Sequence, residues 1–439
     1  MSARGGSPAR SIPRRSPAAV FRNTFRSLAN PNYRLWAAGA LVSNIGTWMQ
    51  RTAQDWLVLT ELTDHNAAAV GLVMSLQFGP QLLLLPLTGF AADYFDKRKL
   101  MMVTQAVMGV LATALGVLTV SGQAELWQVY VFAFLLGCAA AFDAPARHSF
   151  VSELVEEKDL VNAVGLNSTS FNGARMVGPA VAGVVIAWVG SGWAFLINGV
   201  SFAAVLISLF FLRVDLLHRG KRASRGRGSL MQGFRYVWGR PDLAAICVML
   251  FVFATFGLNF PIFISTMAAT VFHTGPSGYG LLTSALAVGT VAGALFAAGR
   301  EETGFRHLVG GATVFGFGCA AAAVMPNEFF FALALMVIGV AALTFNNGTN
   351  SLMQLSSAPE MRGRVMAIRL AIAMGCTPLG SPLVGWIADR FGPRWALGLG
   401  ALAGLGAAVI GLWYMRGAGR PPAVREPAMQ TTDATASAI

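Results

Sequence analysis

An internal repeat dominates this chain of 439 residues. Six residues of a block near position 180 return 202 positions later without a gap: Gly173, Gly178, Gly183, Gly190, Trp193 and Ala194 recur as Gly375, Gly380, Gly385, Gly392, Trp395 and Ala396. A second match, Gly71, Leu72 and Ser75 against Gly280, Leu281 and Ser284, has an offset of 209. Loops of different length explain the changed offset. The chain is therefore expected to fold as two similar halves, a common way to build an alternating-access transporter in a membrane.

The apolar composition predicts that both halves lie in a lipid bilayer. The chain is 55% hydrophobic and 12% charged, with a mean hydropathy of +0.59, whereas soluble domains carry roughly 25% charged residues. Apolar runs of about 20 residues, enough to cross the hydrocarbon layer as a helix, form twelve predicted spans at 34–60, 68–91, 100–120, 127–146, 162–189, 192–212, 243–268, 277–299, 306–325, 328–351, 364–388 and 394–415. The runs lack the period-two alternation of membrane strands. The predicted fold class is all-α integral membrane, with twelve transmembrane helices in two six-helix bundles.

Lysine and arginine mark the cytoplasmic side of the predicted topology. Of the 32 such residues, 24 lie in the N-terminal segment or in the loops after spans 2, 4, 6, 8 and 10, while the opposite loops hold only Arg390 and Arg394. Positive loops stay in the cytoplasm, so both termini are predicted to be cytoplasmic. The net charge of +12 then reflects topology and a preference for anionic lipids. It gives no continuous basic face for nucleic acid.

Composition also predicts where the domains begin and end. We expect a disordered basic tail at 1–32, a first bundle at 33–212, a basic cytoplasmic linker at 213–242, a second bundle at 243–416 and a disordered tail at 417–439. The N-terminal tail has no apolar core typical of a secretion signal. A short surface helix is predicted at 230–238. The four cysteines lie alone in different spans without metal-ligand spacing, so neither a metal site nor a cofactor is expected.

Two motifs resemble those of the major facilitator superfamily. The segment Gly89-Phe-Ala-Ala-Asp93-Tyr-Phe-Asp-Lys97-Arg98 is similar to its loop signature after span 2, with departures at Tyr94 and Asp96, and Gly173 to Gly183 is similar to its antiporter motif in span 5. Asn30 to Leu62, Asp143-Ala-Pro145-Ala-Arg147 and Pro359-Glu-Met-Arg362-Gly-Arg364-Val resemble the branch with enterobactin exporters and macrolide-efflux-like proteins, the transmembrane secretion effectors. The resemblance implies the major facilitator fold, with its two bundles related by a pseudo-two-fold axis.

The motif residues are the predicted gating elements. Asp93 ends span 2 with Lys97 one turn on, so it can pair with a neighbouring helix end and hold the inward gate shut; a solvated turn is the alternative. Gly89 and Arg98 belong to the same signature. In span 5, Gly178, Pro179 and Gly183 remove side chains and one backbone donor, which permits close packing and a bend. Packing is favoured over contact with a ligand.

Charged residues inside predicted spans are the candidates for proton coupling, because a charge in apolar surroundings is costly and by default functional. Asp55 is the one acid well inside an apolar run, and Asp143 lies near the end of another. Arg51, one helical turn before Asp55, can form an ion pair with it that faces a central cavity; a purely structural pair is the alternative. Arg175 can pair with Asp143 or Asp55, or bind an anionic substrate. Arg369 is expected to snorkel to the cytoplasmic surface.

The family architecture places spans 1, 4, 7 and 10 around the substrate cavity. Polar and aromatic residues of spans 1, 7 and 10 are the predicted lining: Asn44, Trp48, Phe256, Asn259, Phe260, Phe263, Asn346, Asn347 and Asn350. Such a wall suits an apolar solute with a few hydrogen-bonding groups. Simple packing is the alternative for the aromatic residues.

Together these patterns predict a secondary transporter and no enzyme. The chain contains no nucleotide-binding P-loop, catalytic triad or metal cluster, so an ion gradient must supply the energy. The prediction is a monomeric exporter of drug- or siderophore-like amphiphiles in the bacterial inner membrane, with protons and membrane lipids as its other partners and Asp55 as the proton carrier. The alternatives are uptake or flipping of a lipid-like substrate, and a non-transporting membrane sensor or scaffold.

Overall fold

A computed structural model describes residues 24–218, 230–298 and 304–417. Helices make up nearly all of this part of the chain, and no β-strand occurs in it. Ten helices of the described part are long and apolar enough to cross a membrane. The predicted all-helical membrane class is therefore confirmed.

The first half begins with a short 3-10 turn, Arg26–Ala29, and contains seven helices: α1 (Pro31–Trp56), α2 (Ala67–Leu83), α3 (Leu85–Tyr94), α4 (Lys97–Val120), α5 (Leu126–Leu154), α6 (Glu157–Val189) and α7 (Ser191–Phe210). A π-helical turn, Leu57–Glu61, extends α1. Predicted span 2 is divided between α2 and α3, which meet at Leu84. The division follows from Pro86 near the start of α3, because proline has no N–H for a continuous helix. Neither α1, with its charged residues, nor the short α2 is among the ten long apolar helices.

The second half contains eight helices in its described part: α8 (Leu230–Trp238), α9 (Pro241–Val252), α10 (Phe260–Thr266), α11 (Pro276–Ala298), α12 (Phe305–Val324), α13 (Glu328–Ser356), α14 (Pro359–Phe391) and α15 (Pro393–Gly417). Predicted span 7 is interrupted between α9 and α10. A π turn, Phe253–Gly257, leads to non-helical backbone at Asn259. Pro261 follows near the start of α10 and cannot donate to the preceding turn. A second π turn, Met267–Val271, ends the span.

The repeat in sequence is also a repeat in structure. Helices α5 and α13 each contain 29 residues, α6 and α14 each contain 33, and both pairs keep the offset of 202. Two contacts between the halves repeat as well. Gly71 of α2 lies against the carbonyl of Ser381 in α14, and its counterpart Gly280 of α11 lies against the carbonyl of Pro179 in α6. Neither glycine has space for a Cβ atom, so the repeated glycines are where helices of opposite halves approach each other.

Hydroxyl groups reinforce both contacts between the halves. Ser75 donates to the carbonyl of Pro378 at 2.5 Å, and the equivalent Ser284 donates to the carbonyl of Met176 at 2.7 Å. The four helices α2, α6, α11 and α14 therefore form two related seams, α2 with α14 and α6 with α11.

The helices run between two ends of the molecule, called here the His65 end and the Lys97 end. The His65 end contains the loops at 62–66, 121–125, 272–275 and the turn at 392; the Lys97 end contains those at 95–96, 155–156 and 211–218. Both seams run towards the His65 end. His65 and the equivalent His273 have positive φ angles of 59° and 52°, a conformation that is uncommon for residues with a side chain. The two loops thus repeat the same backbone strain.

Candidate functional site

A cavity of about 170 Å³ lies between the two halves. Helices α1, α2 and α6 of the first half and α10 and α11 of the second supply most of its wall, which is mainly apolar. The lining residues are Trp48, Arg51, Thr52, Asp55, Met74, Gln77, Phe78, Arg175, Pro179, Leu258, Phe260, Pro261, Ile264, Tyr279, Thr283, Leu286 and Ala287. Of the lining residues in the described part of the chain, the charged ones, Arg51, Asp55 and Arg175, all come from the first half. The cavity therefore combines an apolar surface with a few polar groups, as small-molecule sites do.

Asp55 is the one carboxylate among the described residues of this wall, and it connects the halves. Its Oδ2 accepts a hydrogen bond from the hydroxyl of Tyr279 in α11 at 3.2 Å. Tyr279 is 1% exposed and stacks on Trp56, with ring centroids 5.8 Å apart. The residue that joins Asp55 to the second half was not among the sequence predictions. A tyrosine in the first turn of an apolar helix gives no signal until the tertiary structure places it beside an acid.

Arg51 and Arg175 lie over the same tryptophan. The Cζ atom of Arg51 is 4.8 Å from the ring centroid of Trp48 and 5.1 Å from that of Phe78, and the Cζ atom of Arg175 is 5.4 Å from Trp48. The Arg51–Asp55 ion pair expected from the one-turn spacing does not form between these two described side chains. Arg51 instead rests on aromatic faces, which attract a guanidinium group.

Asp143 has a different surrounding from Asp55. It forms an ion pair with Arg147, one turn on, at 2.9 Å, and accepts hydrogen bonds from Thr104 and Gln105, both at 2.8 Å. Arg147 also donates to Asn44 of α1 at 3.2 Å. The pairing of Arg175 with Asp143 considered from the sequence is not made, because Arg147 occupies that carboxylate. This buried network fastens α4, α5 and α1 together within the first half.

The loop-signature residues bind within the first half. Lys97 forms an ion pair with Glu153 at 2.8 Å, and Arg98 donates to the carbonyls of Leu209 and Phe210 at the end of α7. A Cβ atom at Gly89 would contact nothing within 4 Å. The side chain of Asp93 lies outside the described part, so its predicted gating role stays a prediction.

The span 5 residues divide between two interfaces. Gly178 packs on Trp48 and on the carbonyl of Ile45, so it brings α6 close to α1. Pro179 lines the cavity, and Gly183 faces the first turn of α11, where Ser277 donates to its carbonyl at 3.2 Å. These contacts agree with packing as the role of all three residues.

The residues predicted to contact substrate do not lie in one place. Trp48 and Phe260 line the cavity. Asn259 is fully buried and accepts a hydrogen bond from Ser381 at 2.9 Å, while Phe263 is fully buried in the core. Phe256 packs against that core. Helices α5 and α13, predicted spans 4 and 10, supply no residue to this cavity, and Asn347 and Asn350 of α13 are only partly buried elsewhere.

Arg369 does not snorkel to the surface, in contrast to the expectation. Its residue is 7% exposed, and its guanidinium group donates to both the carbonyl and the side chain of Asn346 and to Thr349. Hydrogen bonds to these neutral acceptors offset the cost of burying the Arg369 guanidinium without a carboxylate partner. Within the described residues, no group of three or more His, Cys, Asp or Glu side chains could hold a metal ion.

Comparison with known proteins adds the evolutionary context. The profile of the family described as transmembrane secretion effector matches residues 22–419. The multidrug efflux pump Tap of Mycolicibacterium fortuitum is 26% identical over 80% of this chain and 88% of its own length. The staphyloferrin A transporter of Staphylococcus aureus is 26% identical over 79% of this chain and 87% of its own length.

A solved structure with a similar fold is that of a bacterial homologue of the human lysosomal transporter Spinster in an inward-facing, unoccupied conformation. Its TM-score is 0.66 at 15% identity, and the match covers 88% of this chain and 95% of that one. At this identity the likeness concerns the fold alone.

Proposed function

Since the chain belongs to the transmembrane secretion effector family of major facilitator transporters, we propose that it exports amphiphilic small molecules of drug or siderophore type across the bacterial inner membrane in exchange for protons. The functions of two relatives support this proposal, because one is a multidrug efflux pump and the other a staphyloferrin A transporter. The observation that carries the mechanism is the position of Asp55, which is the single carboxylate that the described residues contribute to a cavity between two similar halves.

The proposed layout has twelve membrane spans in two six-helix bundles. The ten long apolar helices supply ten of these spans. We assign the other two to α1 with its π turn and to α2 with α3, which together have the length needed to cross. The glycine seams between α2 and α14 and between α6 and α11 support a pseudo-two-fold axis.

Alternating access then requires both seams to open. In the present conformation the halves meet at the His65 end. There Asp389 of α14 accepts hydrogen bonds from the backbone N–H groups of Ala67 and Ala68, at 2.7 and 2.9 Å. A carboxylate at a helix N-terminus is stabilised by the free N–H groups and the helix dipole. Asp389 thus acts as a latch between the halves, and its release accompanies opening of the His65 end.

Asp55 couples this motion to protons in the proposed cycle. A neutral carboxyl group is much less costly to bury than an ionised one, so the halves close over Asp55 after it takes a proton from the side of the His65 end. When the proton leaves towards the Lys97 end, the carboxylate needs donors. Tyr279 supplies one until a donor group of the substrate replaces it. Proton and substrate therefore exclude each other, which is the requirement for antiport.

The orientation follows from the distribution of lysine and arginine. We assign the Lys97 end and both termini to the cytoplasm and the His65 end to the opposite side. Single cysteines introduced at His65 or His273 are expected to react with an impermeant thiol reagent added to intact cells, whereas a cysteine at Ser224 is expected to react only after the membrane is opened. The opposite labelling pattern would contradict this orientation.

Transport assays in proteoliposomes test the function itself. Purified protein is reconstituted with a pH gradient, and a panel of siderophores, macrolides and lipophilic dyes is supplied on the Lys97 side. We expect accumulation that depends on the gradient and disappears when an ionophore collapses it. No movement of any compound would favour a non-transporting scaffold, and movement of labelled lipid alone would favour a flippase.

A further inference from the structure

The two arginines of the cavity form no ion pair within the described part of the chain, although Asp55 lies one turn from Arg51. Among the described residues, neither Arg51 nor Arg175 takes part in an ion pair or a side-chain hydrogen bond; the guanidinium groups of both lie over aromatic rings. Each guanidinium group carries five N–H donors and stays charged in proteins. Because both Cζ atoms lie over the ring of Trp48, they are at most about 10 Å apart. Two like charges thus face one small cavity.

Two other arginines with little exposure to solvent bond to protein groups. Arg147 is paired with Asp143, and Arg369 is bonded to Asn346 and Thr349. The lack of acceptors is therefore particular to the cavity and is not a general feature of arginines in this protein. Charged donors that are partly withdrawn from water without an acceptor are costly, and donors that face a cavity can bond to an acceptor group of a ligand.

Charge and chemistry specify that ligand. With Asp55 ionised the cavity has two positive groups and one negative group, and Asp55 already accepts a bond from Tyr279. Guanidinium groups match the planar geometry of carboxylates and similar oxyanions. We propose that Arg51 and Arg175 bind an oxyanion in the head group of the transported amphiphile, a carboxylate, hydroxamate or catecholate, on the face of Trp48. The proposal rests on the transport function above and names its substrate class.

The cavity dimensions indicate how much of the substrate is bound there. A volume of about 170 Å³ is smaller than the roughly 300–1,000 Å³ of sites that enclose a drug-sized molecule. It fits a polar head group, with the remainder of the molecule outside the enclosed volume. Phe78, Phe260 and Ile264 line the same cavity and suit the first apolar carbons behind that head.

Three fluorescent probes that differ only in head-group charge test the proposal. They are dansylaminoundecanoate, its methyl ester, and the matching dansyl alkyl trimethylammonium, each titrated into the purified full-length protein in detergent. We expect the carboxylate to bind at least roughly tenfold more tightly than the ester, the size expected for one charge-assisted interaction, and the trimethylammonium to bind most weakly.

Variants show which groups cause the preference. Arg51→Gln and Arg175→Gln should each weaken binding of the carboxylate by roughly tenfold and leave binding of the ester unchanged. Arg51→Lys should keep most of the preference, because the charge remains. Asp55→Asn should bind this probe at least as tightly as the natural protein, because the probe offers Asp55 no hydrogen-bond donor and the variant removes a negative charge from the cavity. Competition with the proton requires a substrate that also carries a donor group for Asp55. Arg369→Gln, which removes a buried guanidinium outside the cavity, is the matched control and should keep the full preference.

The outcomes separate this inference from the function on which it rests. Equal binding of carboxylate and ester, or a preference for the trimethylammonium, would overturn the oxyanion site. If that result came with gradient-driven export of other compounds, the transport function would stand. A clear carboxylate preference without gradient-driven movement of any compound would support the site and contradict proton-driven export.

Discussion

The two halves of the molecule share their helix lengths and their glycine contacts but differ in charge. The offset of 210 that relates the two π turns pairs Arg51 with Pro261 and Asp55 with Ser265. The offset of 202 pairs Arg175 with Thr377. Every charged group of the cavity thus has an uncharged counterpart. The shared residues build the seams between the halves, whereas the unshared residues carry the proposed coupling and binding.

A second pair of regions shows the same division. In the first half, Asp143 and Arg147 fasten three helices through a buried polar network. Their counterparts in the second half are Phe345 and Thr349. Phe345 belongs to an aromatic cluster, with ring centroids of Phe253 and Phe345 only 4.1 Å apart. The same position in the fold is thus stabilised by ion pairing on one side and by aromatic packing on the other.

The strongest test of the charge asymmetry is Asp55→Asn. We expect proton-driven export to fall to background while folded protein stays in the membrane, because the asparagine cannot take up a proton. Export is measured in proteoliposomes with an imposed pH gradient. Ser265→Ala, at the uncharged counterpart, is the matched control and should leave coupling intact. Full gradient-driven export by Asp55→Asn would mean that another group carries the proton.

The next largest effect is expected from Asp143→Ala. Removal of this carboxylate leaves Arg147 buried without its partner, which costs roughly 3–5 kcal/mol in soluble cores. Phe345→Leu, at the equivalent position, is a large-to-small hydrophobic exchange and should cost less than the roughly 3–5 kcal/mol typical of truncating a buried phenylalanine to alanine. Denaturant-induced unfolding in detergent measures both. Equal losses would show that the polar network contributes no more than aromatic packing does.

The shared seams are tested by Gly71→Val and Gly280→Val. Neither position has space for a Cβ atom, so each variant should destabilise the present conformation by about 1–3 kcal/mol, typical of overpacking. The pseudo-two-fold relation requires similar losses, read from the midpoint of thermal unfolding. Gly165→Ala is the control, because a Cβ atom there would contact nothing within 4 Å. A large difference between the two valine variants would contradict equivalence of the seams.

The two seams differ at Asp389, because the seam between α6 and α11 has Ala187 at the equivalent position. Asp389→Ala removes the carboxylate that accepts from Ala67 and Ala68 at the N-terminus of α2, worth about 0.3–2 kcal/mol, while the N-cap Asn66 remains. The change should shift the population towards a conformation open at the His65 end. Spin labels at Gln123 and Glu328, exposed positions in opposite halves at that end, report the separation. An unchanged distance distribution would exclude Asp389 as a latch.

The smallest effect is expected from Ala187→Asp, which adds an acid at the position equivalent to Asp389. The N-terminus of α11 differs from that of α2, because the counterpart of Ala67 is Pro276, which has no N–H. One donor is therefore missing. We expect the new acid to stabilise the closed His65 end by at most about 0.5–1 kcal/mol, which is less than the contribution of Asp389. The same spin labels measure this effect. Stabilisation as large as that of Asp389 would argue against backbone capping as the mechanism.

Much of the fold could be predicted from local sequence. Apolar runs marked the long helices, and the short helix predicted at 230–238 is α8. The repeated glycines predicted the close contacts, because a residue without a side chain lets two helices approach closely wherever it occurs. Helix ends were less accurate: the run at 162–189 belongs to a helix that begins at Glu157, because hydropathy marks the apolar layer and not the length of the helix.

The site could be predicted only in part. Trp48, Arg51, Asp55 and Phe260 were expected in the cavity and line it, since polar and aromatic residues are conspicuous within apolar runs. Tyr279 was missed because its importance depends on its distance to an acid of the other half. The cavity is built by α2, α6 and α11 as much as by α1 and α10, and the sequence does not indicate which helices turn which face inward.

The sequence by itself determined the membrane class, the duplication and the presence of a few charges inside apolar helices. These properties follow from hydropathy and side-chain size, which act locally and add along the chain. The tertiary structure decided the partner of each charge: Arg147 for Asp143, Tyr279 for Asp55, and aromatic rings for Arg51 and Arg175. Such pairing depends on a few ångströms between helices far apart in sequence, because the strength of a buried polar contact falls steeply with distance and angle.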